Sequence, residues 1–211
     1  MTGALQGLWR GKAFLTIANG VSPDRRGDYE AWHSFEHVPE RLTMPGFLAG
    51  KRYVAGSGAA TRYLTVYDLD DAAAVETPAY RHLLAHPTPA SLAMRPVMSD
   101  LRRGLYRDGG RSGAGLARYL GWVTWRGAGR PGLLELAGRN GIASVRLGTS
   151  IPTPPHPAFP GVSEDREDHH IVMLGGTERR KLRPVLAMIA ALPIAESGII
   201  ERGLAELVLA Y

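Results

Sequence analysis

Between residues 10 and 19 apolar positions alternate, with Ala13, Leu15 and Ile17 on one face and Phe14, Thr16 and Ala18 on the other. Such a pattern reads as a strand covered on both sides. Ser22-Pro23-Asp24 supplies a turn and a cap, and the spacing then predicts a helix over about residues 24–38. Its core stripe reads Ala31, Phe35, Val38 and Leu42, at offsets of 4, 7 and 11. Pro39 and Met44-Pro45-Gly46 end or kink that helix. Two strands, 48–55 and 61–69, flank Gly56-Ser57-Gly58, a hairpin signal. Residues 70–85 read as helix, His86-Pro87-Thr88-Pro89 interrupts it, and a short helix resumes before Met98. A strand over 101–107 completes a β-α-β-β-α-β order, the ferredoxin-like arrangement.

The same order recurs further along. Strands are expected at 116–125, 142–150, 169–174 and 203–211, a short helix at 130–139 and a longer one at 178–192. The domain reading is a first unit over 1–108, a linker over 109–115 (GGRSGAG) and a second, divergent unit over 116–211. Each unit leaves one sheet face bare, and packing the two faces together covers both. The predicted fold is therefore α+β: tandem ferredoxin-like units closing a barrel of the dimeric α+β type around a cavity. Where the first half has a short turn, the second has the Pro-rich segment 151–168, expected to be a lid over that cavity.

Composition narrows the chemistry. The 211 residues carry no Cys, which excludes disulfides, thiolate metal sites and Cys nucleophiles and fits a reducing compartment. Apolar runs stop well short of the roughly 20 residues a membrane helix needs, and the first residues lack a secretory pattern, so the expectation is a cytoplasmic protein without membrane contact. The net charge is +5, yet only Lys12, Lys51 and Lys181 are lysines, and the Arg residues are interleaved with acids. A nucleic-acid footprint wants a continuous basic stripe with stacking aromatics beside it, so no nucleic-acid partner is expected. The sequence also lacks the dinucleotide, P-loop and hydrolase-elbow glycine patterns.

The richest segment is YEAWHSFEHVPERLTMPG, residues 29–46. His33-Ser34-Phe35-Glu36-His37 has the H-x-x-E-H spacing of inverted zincins, and Glu30 falls on the same helical face, so a divalent metal is one reading. At 100° per residue His33 and His37 lie about 200° and 240° from Ala31, off the core stripe. They then point to solvent, or Pro39 bends His37 towards the barrel mouth, where an imidazole could move protons. Glu36 or Arg41 would orient it. On 61–69, Leu64 and Val66 suit the helix side, which turns Tyr63 and Tyr67 towards the barrel cavity. Tyr53 and one of Trp122 and Trp125 add aromatic wall; Trp122 is assigned. One of His169 and His170 should face inward; His170 is assigned to substrate, with haem ligation as the alternative.

Trp32, Glu36, His37, Pro39, Glu40, Arg41, Leu42, Pro45, Gly46, Phe47, Arg52 and Tyr53 resemble the W-x-x-x-E-H-x-P-E-R-L-x-x-P-G-F-x-x-x-R-R-Y pattern of EthD-like proteins of the dimeric α+β barrel superfamily. The likeness covers about residues 10–107, with Lys51 in place of the first Arg, and the second half lacks the E-H-x-P motif. The resemblance implies a cavity for a small, often aromatic or polyketide-like compound, in a monomer with an internal barrel or a homodimer. The first expectation is a cofactor-independent lyase, isomerase or cyclase working by acid–base chemistry through His37. A haem or metal enzyme using His33, His37, His169 or His170 is the second. A non-catalytic binder of a small ligand is the third.

Overall fold

The structure, a computed structural model, describes residues 9–152, 156, 159, 169–192 and 198–211. Eight strands form it: β1 (Ala13–Val21), β2 (Phe47–Ala55), β3 (Arg62–Leu69), β4 (Met98–Gly113), β5 (Tyr119–Arg126), β6 (Ile142–Ser150), β7 (His169–Gly176) and β8 (Ile199–Ala210). They close an antiparallel barrel in the order β1-β3-β2-β8-β5-β7-β6-β4. The first four strands make the arc β4-β1-β3-β2 and the last four the arc β8-β5-β7-β6, so each arc has the same internal order. Joining β2 to β8 and β4 to β6 removes all four free edges within one chain.

The linker expected at 109–115 is corrected through Gly113. Asp108 pairs with Gly148 and Gly110 with Leu147 across a bulge, and β4 runs on to Gly113. Gly110 has φ 133, a backbone open to glycine, so the flexible composition serves the bulge. Pairing with the other arc supplies the hydrogen bonds that local propensity does not predict.

In the first arc α1 (Arg26–Trp32), a π-helical turn (His33–His37) and α2 (Val38–Leu42) link β1 to β2. α3 (Pro78–Ala85) and α4 (Pro89–Met94) link β3 to β4, each capped by a Thr hydroxyl, of Thr77 and Thr88, accepting from a backbone N–H. In the second arc α5 (Arg179–Ala190) precedes β8, and the expected helix at 130–139 is only a 3-10 turn over Pro131–Leu136. No helix among the described residues is long and apolar enough to cross a membrane.

The barrel interior holds Phe14, Tyr53, Leu64, Val66, Trp122 and Met173. Tyr63 packs instead with Tyr29 and Trp32, and Tyr67 with Val38 and Phe47, under the helices. The inward orientation expected for Tyr63 and Tyr67 is therefore corrected. β3 is apolar on both faces, so alternation alone cannot say which face turns inward.

A buried charge cluster plugs one end of the barrel. Asp68 takes Lys51 Nζ at 2.6 Å and Arg146 Nη1 at 2.6 Å, and Asp108 takes Arg146 Nε at 2.8 Å. The Arg146 guanidinium also sits 4.1 Å from the Phe14 ring centroid. Both carboxylates are thus held by buried cations, and Arg111 Nε lies 3.9 Å from Asp108 beside them.

Candidate functional site

The site begins with a one-residue irregularity. In α1 the buried side chains are Tyr29 and Trp32, one helical step apart, and His33 continues that face. The next inward residues, His37 and Val38, lie five positions on, and the Val38 N–H bonds the His33 carbonyl. That i to i−5 bond is a π turn, a feature common at functional sites. Pro39 has no N–H to offer the Ser34 carbonyl, which accepts instead from the Tyr211 hydroxyl at 2.7 Å. From β2, Arg52 holds the turn by Nη2 to Glu30 Oε2 at 2.9 Å and Nη1 to Ser34 Oγ.

The extra residue rotates the helix face. Phe35, expected in the core, is 82% exposed, while His33 is 4% exposed and His37 turns inward. The expected stripe of Ala31, Phe35, Val38 and Leu42 is thus overturned in phase, and with it both orientations foreseen for the His pair. Phe35→Ala should accordingly shift unfolding free energy by no more than about 0.5 kcal/mol, the usual range for a surface side chain. Chemical denaturation measures this.

The two imidazoles stack, their centroids 4.9 Å apart and their planes at 24°, with the Trp32 ring 4.4 Å from His37. Trp32 donates to Ser91 Oγ at 3.2 Å, which locks the indole against α4. Together with Leu15, Ile17 and Tyr67 from the outer sheet face, Arg41, and Leu83 and Leu84 from α3, they enclose a pocket of about 70 Å³. His37 therefore lies between the helices and the sheet, not in the barrel cavity. His156 and Phe159 also line this pocket; the lid reading for 151–168 otherwise falls largely outside the described residues.

The pocket's electrostatics are one-sided. No carboxylate is among the described lining residues. Burial first, then the Arg52 and Arg41 charges, pushes the His33 imidazole well below its ordinary 6.5. Burial, then Arg41 and His33, does the same to His37. Burial raises the Tyr67 phenol far above its ordinary range. At neutral pH both imidazoles are uncharged and Tyr67 keeps its proton. Among the described residues His33 Nδ1, His37 Nδ1 and Tyr67 OH are buried with no hydrogen-bond partner. Three unsatisfied polar atoms in one pocket are costly unless a ligand completes them.

These shifts set a sign for stability. The unfolded chain binds protons near 6.5 that the folded site refuses. Stability is fully present above that pH and falls as the pH drops through it towards the lower folded values. Melting curves from pH 7.5 to 5 should show the loss, and His33→Gln should make it shallower.

The remaining expected residues scatter. Glu36 accepts from Thr88 Oγ1 at 2.5 Å and so does not orient His37. Arg41 pairs with Glu40 at 2.5 Å and charges the pocket. Tyr53 is buried inside the barrel, and Trp122 lines the barrel's open end. His169 faces that end, with Tyr106 OH 3.0 Å from its Nε2. His170 lies outside, its ring 5.6 Å from Trp125 and Nδ1 3.1 Å from Thr149. The inward assignment of His170 is thus corrected to His169; two adjacent residues on a strand face opposite ways, and polarity alone did not choose between them. Ser91, Tyr80 and Leu83 were missed, for they come from elements whose tilt a sequence does not show. The Pro39 that follows the His pair at the π turn was the available signal for the turn.

A closed α+β barrel with one helix-covered imidazole pocket is the class this geometry defines. No protein-family model matches the chain, and no curated sequence does. Among solved structures it is similar to an anthrone oxidase-like protein, with TM-score 0.65 and 9% identity, covering 96% of this chain and 94% of that one. A provisionally assigned monooxygenase from Fusobacterium nucleatum gives TM-score 0.51 and 12% identity over 93% of this chain and 92% of that one. A provisionally assigned chlorite dismutase gives 0.52 and 11% over 95% and 96%. The chain shares the fold of these proteins.

Proposed function

We propose that the chain is a small-molecule enzyme that draws a proton from a one-ring enolisable ketone or phenol, with neutral His37 as the base. The observation that carries this is the set of three partnerless buried polar atoms on residues that line one cation-flanked pocket. His37 Nδ1 accepts the proton as the C–H or O–H bond breaks. The electron pair of a C–H bond moves to the substrate oxygen and that of an O–H bond stays on it, where the Tyr67 hydroxyl and the Arg41 charge stabilise the anion. The apolar wall of Leu15, Ile17 and Leu84 excludes water. A pocket of about 70 Å³ is about half the roughly 150 Å³ of a cavity that takes a whole benzene, so it takes the reacting edge of one ring and no more. That size argues against a polycyclic polyketide at this site. The anion so formed is the species that isomerases and cyclases rearrange, and lyase chemistry can follow from it.

The described residues do not fit a metal or haem here. Stacked imidazoles do not aim their nitrogens at one point, Glu30 and Glu36 are bound elsewhere, and no cluster of three ligating side chains occurs among the described residues. A macrocycle exceeds the His33–His37 pocket, and His169 Nε2 is engaged by Tyr106. We further read the two arcs as tandem ferredoxin-like units, on their shared strand order, and the first as EthD-like, on its E-H-x-P-E-R-L motif.

The test is hydrogen exchange at the α-carbons of cyclohexanone in deuterated buffer, followed by NMR. Exchange well above the buffer rate, slowed in Tyr67→Phe, is expected. Wild-type exchange equal to buffer across a set of one-ring ketones, with no binding of one-ring phenols, overturns the reading.

A further inference from the structure

We propose that the open end of the barrel is a second ligand site, for an amphipathic carboxylate larger than one ring. Strand β1 separates it from the His37 pocket: Thr16 and Ala18 face the barrel, while Leu15, Ile17 and Asn19 face the helices. The barrel space measures about 360 Å³, inside the range of small-molecule sites and several times the His37 pocket. Its wall is apolar through Leu64, Trp122, Ile171 and Met173 and carries hydroxyls at Thr16 and Thr124.

Charge sets the ligand's class and direction. At the mouth stand Arg102 and Arg126 with Glu201. An adjoining space of about 440 Å³ shares Trp122 and the Arg102–Glu201 pair and adds Arg62 and Arg202 against Asp100. Among the described residues Arg62, Arg102 and Arg202 stand there against Asp100 and Glu201, which draws anions to the opening. Glu201 neutralises Arg102 only partly, at 3.4 Å with both side chains in contact with solvent. The opposite end is plugged by Lys51, Asp68, Arg146 and Asp108, whose charges are already paired with one another. A hydrocarbon end therefore enters first along Trp122 and Met173, and the carboxylate stays at the arginines, half solvated, so its desolvation cost is small.

Calorimetric titration with 2-naphthoate and its neutral analogue 2-naphthamide tests this. Naphthoate is expected to bind once per chain and at least about tenfold more tightly than the amide, the worth of a charge-assisted hydrogen bond. Arg102→Gln should weaken naphthoate severalfold and leave the amide unchanged, while Glu201→Gln should tighten naphthoate. Both side chains reach solvent, so these variants fold even if Arg126→Gln does not. Gly203→Ala should abolish binding, because a Cβ there meets the Trp122 ring at 2.0 Å and drives it into the cavity. His37→Gln should leave naphthoate binding as it was. No binding by the folded wild type, equal affinity for the amide, or loss in His37→Gln without loss in Arg102→Gln each overturns the proposal.

Discussion

His37→Gln is expected to lower catalysed α-proton exchange by about 10²–10⁴-fold, the usual contribution of a positioned base. The side chain is replaced by one of similar length that cannot take the proton, so the fold should survive with its melting temperature little changed. The pH profile offers a second check. An imidazole held neutral by burial and by Arg41 acts as a base below its ordinary 6.5, so wild-type activity should persist into mildly acidic buffer before falling. Arg41→Gln removes one of the charges that lower it and should move that fall to higher pH. His33→Gln tests the stacked neighbour: a loss much smaller than that of His37→Gln keeps the base at His37, and the reverse order moves it to His33. A folded His37→Gln protein that exchanges like wild type ends the assignment.

The largest stability effect is expected at Asp68. Asp68→Asn leaves Lys51 without its carboxylate and Arg146 with only Asp108, inside a barrel where all three side chains are at most 3% exposed. Removing one partner of a buried ion pair typically costs about 3–5 kcal/mol, because the remaining charge stays unsolvated. Denaturant unfolding should show that loss. The same change in the solvent-exposed Arg25–Asp28 pair should cost about 1 kcal/mol or less. The Asp68→Asn deficit also has a pH signature. Burial already pulls the Lys51 ammonium below its ordinary 10.5, opposed mainly by Asp68. Without that carboxylate the folded chain holds the Lys51 proton less tightly than the unfolded one does. Stability of the variant should therefore recover as the pH rises towards 10.5. A deficit that is flat with pH would mean the loss lies in packing, not in Lys51.

Much of this arrangement was legible from spacing. The 142–150 strand has the bounds of β6, and the motif around His37 drew the eye to the helix that carries the pocket. The failures share a cause. Helical phase is computed on a uniform turn, and one inserted residue between His33 and Val38 exchanged Phe35 for His37 on the inner face. The glycines at 109 and 110 look like a linker because nothing local shows the β6 strand that pairs with them. The expected barrel-facing Tyr67 was wrongly aimed, since both faces of β3 are apolar and Tyr67 lies on the helix-covered one, in the pocket. The choice of His170 over His169 rested on one alternation with no neighbouring strand to fix it. The tie from Tyr211 to Ser34 joins positions far apart along the chain, and no periodicity reports it.

The barrel closes within a single chain, and that has a consequence for how the two arcs can differ. In a ring assembled from identical chains, every substitution is made on both sides of the symmetry axis, and a change that suits one site is imposed on its twin. Here a substitution in the second arc has no counterpart in the first. The His33–His37 pair is confined to one arc, and the outer face of the other carries His170 against Trp125. Active-site titration should therefore count one catalytic centre per barrel, half the number a symmetric ring would hold. The second arc answers instead to its seams with β2 and β4, to the Tyr211 tie at the π turn and to its share of the barrel wall.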